Sequence, residues 1–211
     1  VNLSLLAGFL LRTILWLLLC LSLWYALAGL LAMPVGWLTG ALAHLIFPSW
    51  AEGAELSGTH IDLMTSLQMP AQPGALPGQV ALLTPEADYL TYGYGLPLLS
   101  ALFLASMPHG MVTKMLLAAL ALLPFQIVSV LFAWLKEVAI VAGPAVAAQT
   151  GFGEQSREVI ALGYQFGTLV LPTLAPVVLW LALDRKLIST LLVEAYLERA
   201  KPDDQDWPAG H

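Results

Sequence analysis

Between Arg12 and Glu52 the chain carries no charged residue, an apolar run of 39 positions. As one straight helix it would reach roughly 58 Å, nearly twice a hydrocarbon core of about 30 Å. A break is therefore expected. Met33-Pro34 is its place, because proline removes a backbone donor and clashes with the preceding turn. Leu11 to Met33 then forms the first spanning helix. Ala26-Leu27-Ala28 resembles a signal-peptidase site, but the run exceeds an ordinary signal core, so the segment reads as an uncleaved anchor. Val35 to Phe47 sets Val35, Leu38, Leu42 and Leu45 on one helical face and Gly36 and Gly40 on another. That pattern predicts an interfacial helix with a small-residue strip for close packing.

Trp50 to Pro97 is the one long polar-bearing interruption, and residues 49–91 read as a single insert between spans. Within it, Ile61, Leu63, Thr65, Leu67 and Met69 alternate with His60, Asp62, Met64, Ser66 and Gln68, the period of a half-buried strand. Pro70 to Gly78 is rich in proline and glycine and reads as a turn, with Val80 to Thr84 as the returning strand of a hairpin. The next apolar stretch, cut at Pro108-His109-Gly110, predicts a short helix from Tyr94 to Met107 and a full one from Met111 to Leu135. Tyr89, Tyr92 and Tyr94 form an interfacial belt at the outer end of the short arm, with Tyr92 and Tyr94 keeping their hydroxyls wet. Val138 to Ala148 is too short to span; Val159 to Leu183 is the last span, with Gly163 and Gly167 as a packing strip. Residues 187–201 read as an amphipathic helix and 202–211 as a disordered acidic tail. The whole, residues 1–211, is thus expected to be one all-α integral membrane domain. It has about four transmembrane helices, a small β-hairpin insert and interfacial helices.

Composition removes the soluble alternatives. The chain is 59% hydrophobic and 10% charged, against about 25% charged in a typical soluble domain. Eight basic against 14 acidic residues leave no basic stripe for nucleic acid. One cysteine, Cys20, excludes an internal disulfide and any multi-cysteine metal site. Charge also orients the chain. Four spans put both termini on one side with Arg12, Lys114, Arg185, Lys186, Arg199 and Lys201. The other side holds only Lys136 and Arg157, with eight acids. The positive-inside rule then makes both termini cytoplasmic and the insert exocytoplasmic.

Four constellations bear on chemistry. Thr91-Tyr92-Gly93-Tyr94-Gly95 differs by one residue from the Thr-Val-Gly-Tyr-Gly filter of potassium channels. Acids precede it and Leu96-Pro97 opens a helix behind it, which favours a tight loop whose glycines take positive backbone angles or admit a neighbour closely. Cys20 lies inside the first span while His60 and Arg157 fall on the outer side, so a thiol peptidase lacks the base its thiolate requires. Glu86 and Asp88 are the best pair for a divalent cation, yet no spaced ligand loop is present and a solvated acidic face is the simpler reading. Lys136-Glu137 is the better candidate for an internal ion pair, with Asp88 or Arg157. No catalytic residue, cofactor or metal ligand is assigned.

Two stretches carry a family resemblance. One is Tyr92-Gly93-Tyr94-Gly95-Leu96-Pro97-Leu98 with the Leu-Ala-Ser run behind it. The other is Gly163-Tyr164-Gln165-Phe166-Gly167 through Leu171-Pro172-Thr173-Leu174-Ala175-Pro176 to Trp180. With the single-insert layout they resemble the small bacterial exosortase H-associated membrane proteins. The resemblance implies an inner-membrane accessory of a system that sorts exported proteins bearing a C-terminal tail. Exosortases carry a catalytic Cys-Arg-His set, and nothing here maps onto it, so transpeptidase activity is not implied. The expected function is a non-enzymatic accessory or assembly subunit. Its partners are the lipid bilayer and an exosortase-like membrane protein. Its helices pack through Gly36/Gly40 and Gly163/Gly167, and its hairpin presents a surface to the partner. The alternatives are a small conduit built on Thr91 to Gly95 and a membrane thiol peptidase-like enzyme.

Overall fold

The computed structural model describes residues 3–70 and 81–184. The expected amphipathic helix at 187–201, the tail at 202–211 and most of the proline-rich turn lie outside these residues.

The apolar run does not break. Helix α1 extends from Leu3 to Ile46, 44 residues with Pro34 inside, about 66 Å of helix. The separate interfacial helix expected from Val35 is the C-terminal part of α1. The reason lies in what packs beside the proline. A small sheet touches α1 at Gly29 before Pro34 and at Gly36 and Gly40 after it, splinting the helix across the residue that would have ended it. Pro34 itself lies on the exposed face, away from the splint.

That sheet is three-stranded and antiparallel, in the order β1 (Ala51–Ser57), β2 (His60–Thr65), β3 (Glu86–Asp88). It replaces the expected two-stranded hairpin. Gly58, at φ +65°, makes the tight turn between β1 and β2. Glu55 lies opposite Asp62 and Asp62 opposite Glu86, so three carboxylates form a row on the outer face. Ile61, Leu63 and Ala87 are buried on the inner one. The returning chain pairs as anticipated near Gln68 and Leu82, but only as a single bridge, and Val80 is outside the described residues.

Tyr89–Tyr92 (α2) leads into α3, Gly95–Ser106, and then α4, Met111–Lys136. A π-helical segment at Glu137–Val141 and the short α5, Pro144–Thr150, follow. The last helix is α6 (Glu154–Gln165), a second π segment (Phe166–Val170) and α7 (Leu171–Leu183) in succession. Among the described residues, three stretches are long and apolar enough to cross a membrane: Ala7–Ile46, Met111–Val141 and Glu154–Leu183. The fourth expected span, α3, has 12 residues, about 18 Å of helix.

The bundle has two buried layers. At one end Phe9 stacks on Trp180 at 5.5 Å, and Trp180 Nε1 donates to Ser106 Oγ at 3.1 Å. Leu99, Phe103, Ala118 and Leu122 fill the space between. At the other end the sheet caps the helices, and Trp134 Nε1 on α4 donates to the Ile61 carbonyl at 3.0 Å. There Phe47 and Trp50, just beyond α1, meet Phe152.

Candidate interaction site

The residues singled out from sequence divide into two groups. Gly36 and Gly40 do not join helix to helix. A Cβ at Gly36 would lie 2.9 Å from Ile61 Cγ2, and one at Gly40 would lie 2.7 Å from the Ala54 nitrogen. Both seat β1 and β2 on α1. Helical spacing revealed a small-residue strip but could not reveal that its partner is a sheet.

The others converge where α2, α3, α4, α6 and the second π segment meet. Asp88 caps α2, accepting from the Leu90 amide at 3.0 Å. Gly93 follows in right-handed helical geometry, φ −92°, and neither it nor Gly95 has a positive φ. Their use is closeness. A Cβ on Gly93 would strike the Tyr89 ring, and one on Gly95 would sit 2.8 Å from the Pro172 carbonyl oxygen. That carbonyl is available because Pro176, four residues on, has no amide to bond it. The Gly93 carbonyl accepts from the Leu96 amide at 3.1 Å and that of Tyr89 from the Gly93 amide at 2.7 Å. Backbone wound this way does not present the extended row of carbonyls that an ion filter requires.

On α4, Gln126, Ser129 and Lys136 recur at spacings that keep them on one face. Gly167 admits the Ser129 backbone, with a Cβ-to-Cα separation of 3.1 Å, and Gly163 lies flat against the Phe132 ring. Thr168, inside the π segment, donates to the Tyr164 carbonyl at 2.8 Å, and the Tyr92 hydroxyl lies beside Tyr164 and Thr168. Tyr92, Gly95, Gln126, Ser129, Leu171 and Pro172 border a narrow crevice with no room for a water molecule. Trp24 Nε1 and Gln126 Nε2 are buried without a hydrogen-bond partner among the described residues; both neighbour the Tyr89 hydroxyl.

Two expectations are corrected here. Tyr89 and Tyr92 are 1% and 6% exposed, so they are core side chains of the seam and not a wet belt; Tyr94 is half-buried. Trp24 and Gln126 cover Tyr89, and Tyr164, Thr168, Leu171 and Pro172 cover Tyr92. Lys136 does not pair with Asp88, nor Glu137 with Arg157. The Lys136 ammonium lies 4.0 Å from Glu137 and 4.5 Å from the centre of the Tyr164 ring, a cation–π contact at the mouth of the seam.

The outer acids behave differently. Glu86 pairs with His60, and the Asp62 carboxyl is pushed above its ordinary range by burial and by Glu86 and Glu55, with His60 opposing. No group of three metal-ligating side chains occurs among the described residues. Cys20 lies nine residues before Gly29, about 14 Å along α1, and it is Gly29 that meets Gly58 next to the His60 strand. The thiol and the imidazole are not brought together.

Sequence reasoning missed β1, the Gln126–Tyr89–Trp24 cluster and the second π segment. A buried glutamine in an apolar helix was the one visible signal. The sequence model of the family described as exosortase H-associated membrane protein matches residues 3–187. No curated protein and no solved structure matches the chain.

Proposed function

The chain belongs to the exosortase H-associated membrane protein family, and we propose that it is a non-enzymatic accessory subunit of an exosortase-type sorting system. The observation that carries the reading is the membership itself, since the family is described by its association with an exosortase. The seam supports it: Gly95, Gly163 and Gly167 hold three helices in close contact, which suits a scaffold that keeps one shape. We further propose that the protein lies in the bacterial inner membrane with both termini cytoplasmic and the sheet outside. Lys114 sits at the Phe9–Trp180 end, while Glu52, Glu55, Asp62 and Glu86 sit at the other, the asymmetry that positive-inside insertion produces.

The test is to produce the tagged protein with the exosortase H of its host and purify it in mild detergent. Co-migration at fixed stoichiometry, together with impaired processing of tailed exported proteins in a deletion strain, is the expected result. Unchanged processing in that strain and no co-migration would refute the accessory role.

A further inference from the structure

Among the described residues the sheet leaves the outer edge of β1 unpaired. On β2, the Leu63 amide donates to the Pro85 carbonyl at 2.8 Å, and the Ile61 carbonyl accepts from Trp134. The backbone of both residues therefore points away from β1. Their partners across the ladder are Ala54 and Leu56. In an antiparallel pair, residues opposite each other at such positions share no hydrogen bond, and their polar groups point outward on both sides. The amides and carbonyls of Ala54 and Leu56 thus project from the free edge, open to another chain. The His44 ring closes the near end of that edge, with Nδ1 2.7 Å from the Ala51 carbonyl, and leaves Gly53 to Ser57 open. Unpaired backbone does not face hydrocarbon, and Glu55, exposed between Ala54 and Leu56, sets the edge in water.

Helix α1 supplies an apolar wall beside this edge. Gly29, Gly36 and Gly40 meet the sheet along one line of the helix. Ala28, Ala32, Val35 and Ala43 lie to one side of that line and are buried, where the sheet continues toward Trp134 on α4. Met33, Trp37 and His44 lie to the other side by helical spacing, and the contact of His44 with Ala51 places that side at β1. Met33 is 55% exposed and Trp37 75%. Charge then decides what fits. A second copy pairing edge to edge about Glu55 would set that carboxylate against its own image, and like charges directly opposite oppose pairing. Asp62 and Glu86, in the same row, add to the repulsion. A strand with a basic residue at that position is attracted instead. The residues on either side of the base turn inward, toward Met33 and Trp37.

We propose that the free edge of β1 is a strand-addition site for an extended apolar–basic–apolar segment of an exported protein. This deepens, and rests on, the accessory-subunit reading with the sheet outside. The occupant is an extended chain because only a main chain offers donors and acceptors at the two-residue spacing of Ala54 and Leu56. It is a chain in passage and not a permanent subunit, because an amide and a carbonyl on each of two residues make a small, sequence-tolerant contact.

The test titrates the purified chain in mild detergent with a fluorescent synthetic peptide, Ser-Thr-Val-Lys-Val-Thr-Ser. Saturable binding is expected, weakened about tenfold when the peptide lysine is replaced by glutamate. Glu55→Lys in the protein should reverse that preference. Methylating the two valine amides, which face Leu56 and Ala54, should abolish binding, whereas methylating the lysine amide, which faces away, should not. No binding to the wild type, or equal binding of all these peptides, would overturn the proposal and leave the accessory reading intact, because the titration contains no exosortase. In cells, a photo-crosslinking residue at Ser57 should capture exported proteins that bear the sorting tail; capture of a second copy or of the exosortase alone would overturn the choice of occupant. If the peptides behave as expected while the deletion strain processes its tailed proteins normally, the accessory reading falls and the exported occupant falls with it.

Discussion

Gly40 and Gly8 stand on the same helix and will respond oppositely to a side chain. At Gly40 a Cβ meets Ala54 backbone, whereas Gly8 has nothing within 4 Å. Gly40→Val is expected to cost about 1–3 kcal/mol, since β1 must shift, and Gly8→Ala to stabilise the helix by up to about 1 kcal/mol; thermal unfolding in detergent compares them. Asp62 supplies a pH signature. Its carboxyl is raised above its ordinary value in the fold, so the folded chain holds that proton more tightly than the unfolded one. The contribution is present below the ordinary value and lost as pH rises through the raised one. Asp62→Asn should therefore slow amide exchange in β2 at about pH 7 and leave it unchanged at about pH 3, where both forms are neutral.

At the scale of elements, α5 is tied to the insert by one side chain. Gln149 Oε1 accepts from the Gln68 amide at 3.0 Å and its Nε2 donates to the Gln68 carbonyl at 2.8 Å, imitating a neighbouring strand. Gln149→Ala should raise exchange at the Gln68 amide about tenfold, the worth of one exposed pair of hydrogen bonds. Such ties explain what the sequence hides. Alternation from His60 to Gln68 exposes β2 because its inner positions are aliphatic. The neighbouring β1 is invisible because its register slips between Ala51 and Gly53, which breaks the period. Pro34 is a helix breaker by its own chemistry, and only contacts contributed by residues some 20 positions later keep α1 whole. The glycine pairs declare close approach, but the identity of the approaching group depends on the fold. The glycines of the Tyr-Gly-Tyr-Gly turn mark its place in the sequence, yet what buries Tyr92 is Leu171 and Pro172, about 80 positions on.

For the whole molecule, the orientation proposed above has a direct check. In a Cys20→Ala background, a cysteine at Ser57 should react with an impermeant thiol reagent added to spheroplasts, and one at His109 should not. Both sites are exposed, so the reverse pattern would report the opposite orientation. The unbroken α1 has one more consequence, for the lengths the chain can have. Trp24 faces Tyr89 within the bundle, and Gly29 meets the sheet only five residues later, so one continuous helix sets the angular position of the sheet on the bundle. Inserting a single residue between them would swing the sheet by about 100° and detach Ile61 from Trp134. Inserting seven would restore the angle to within about 20° but lift the sheet about 10 Å off α4. Neither is tolerable, so substitutions in this stretch that keep it apolar should be accepted far more readily than any change in its number of residues.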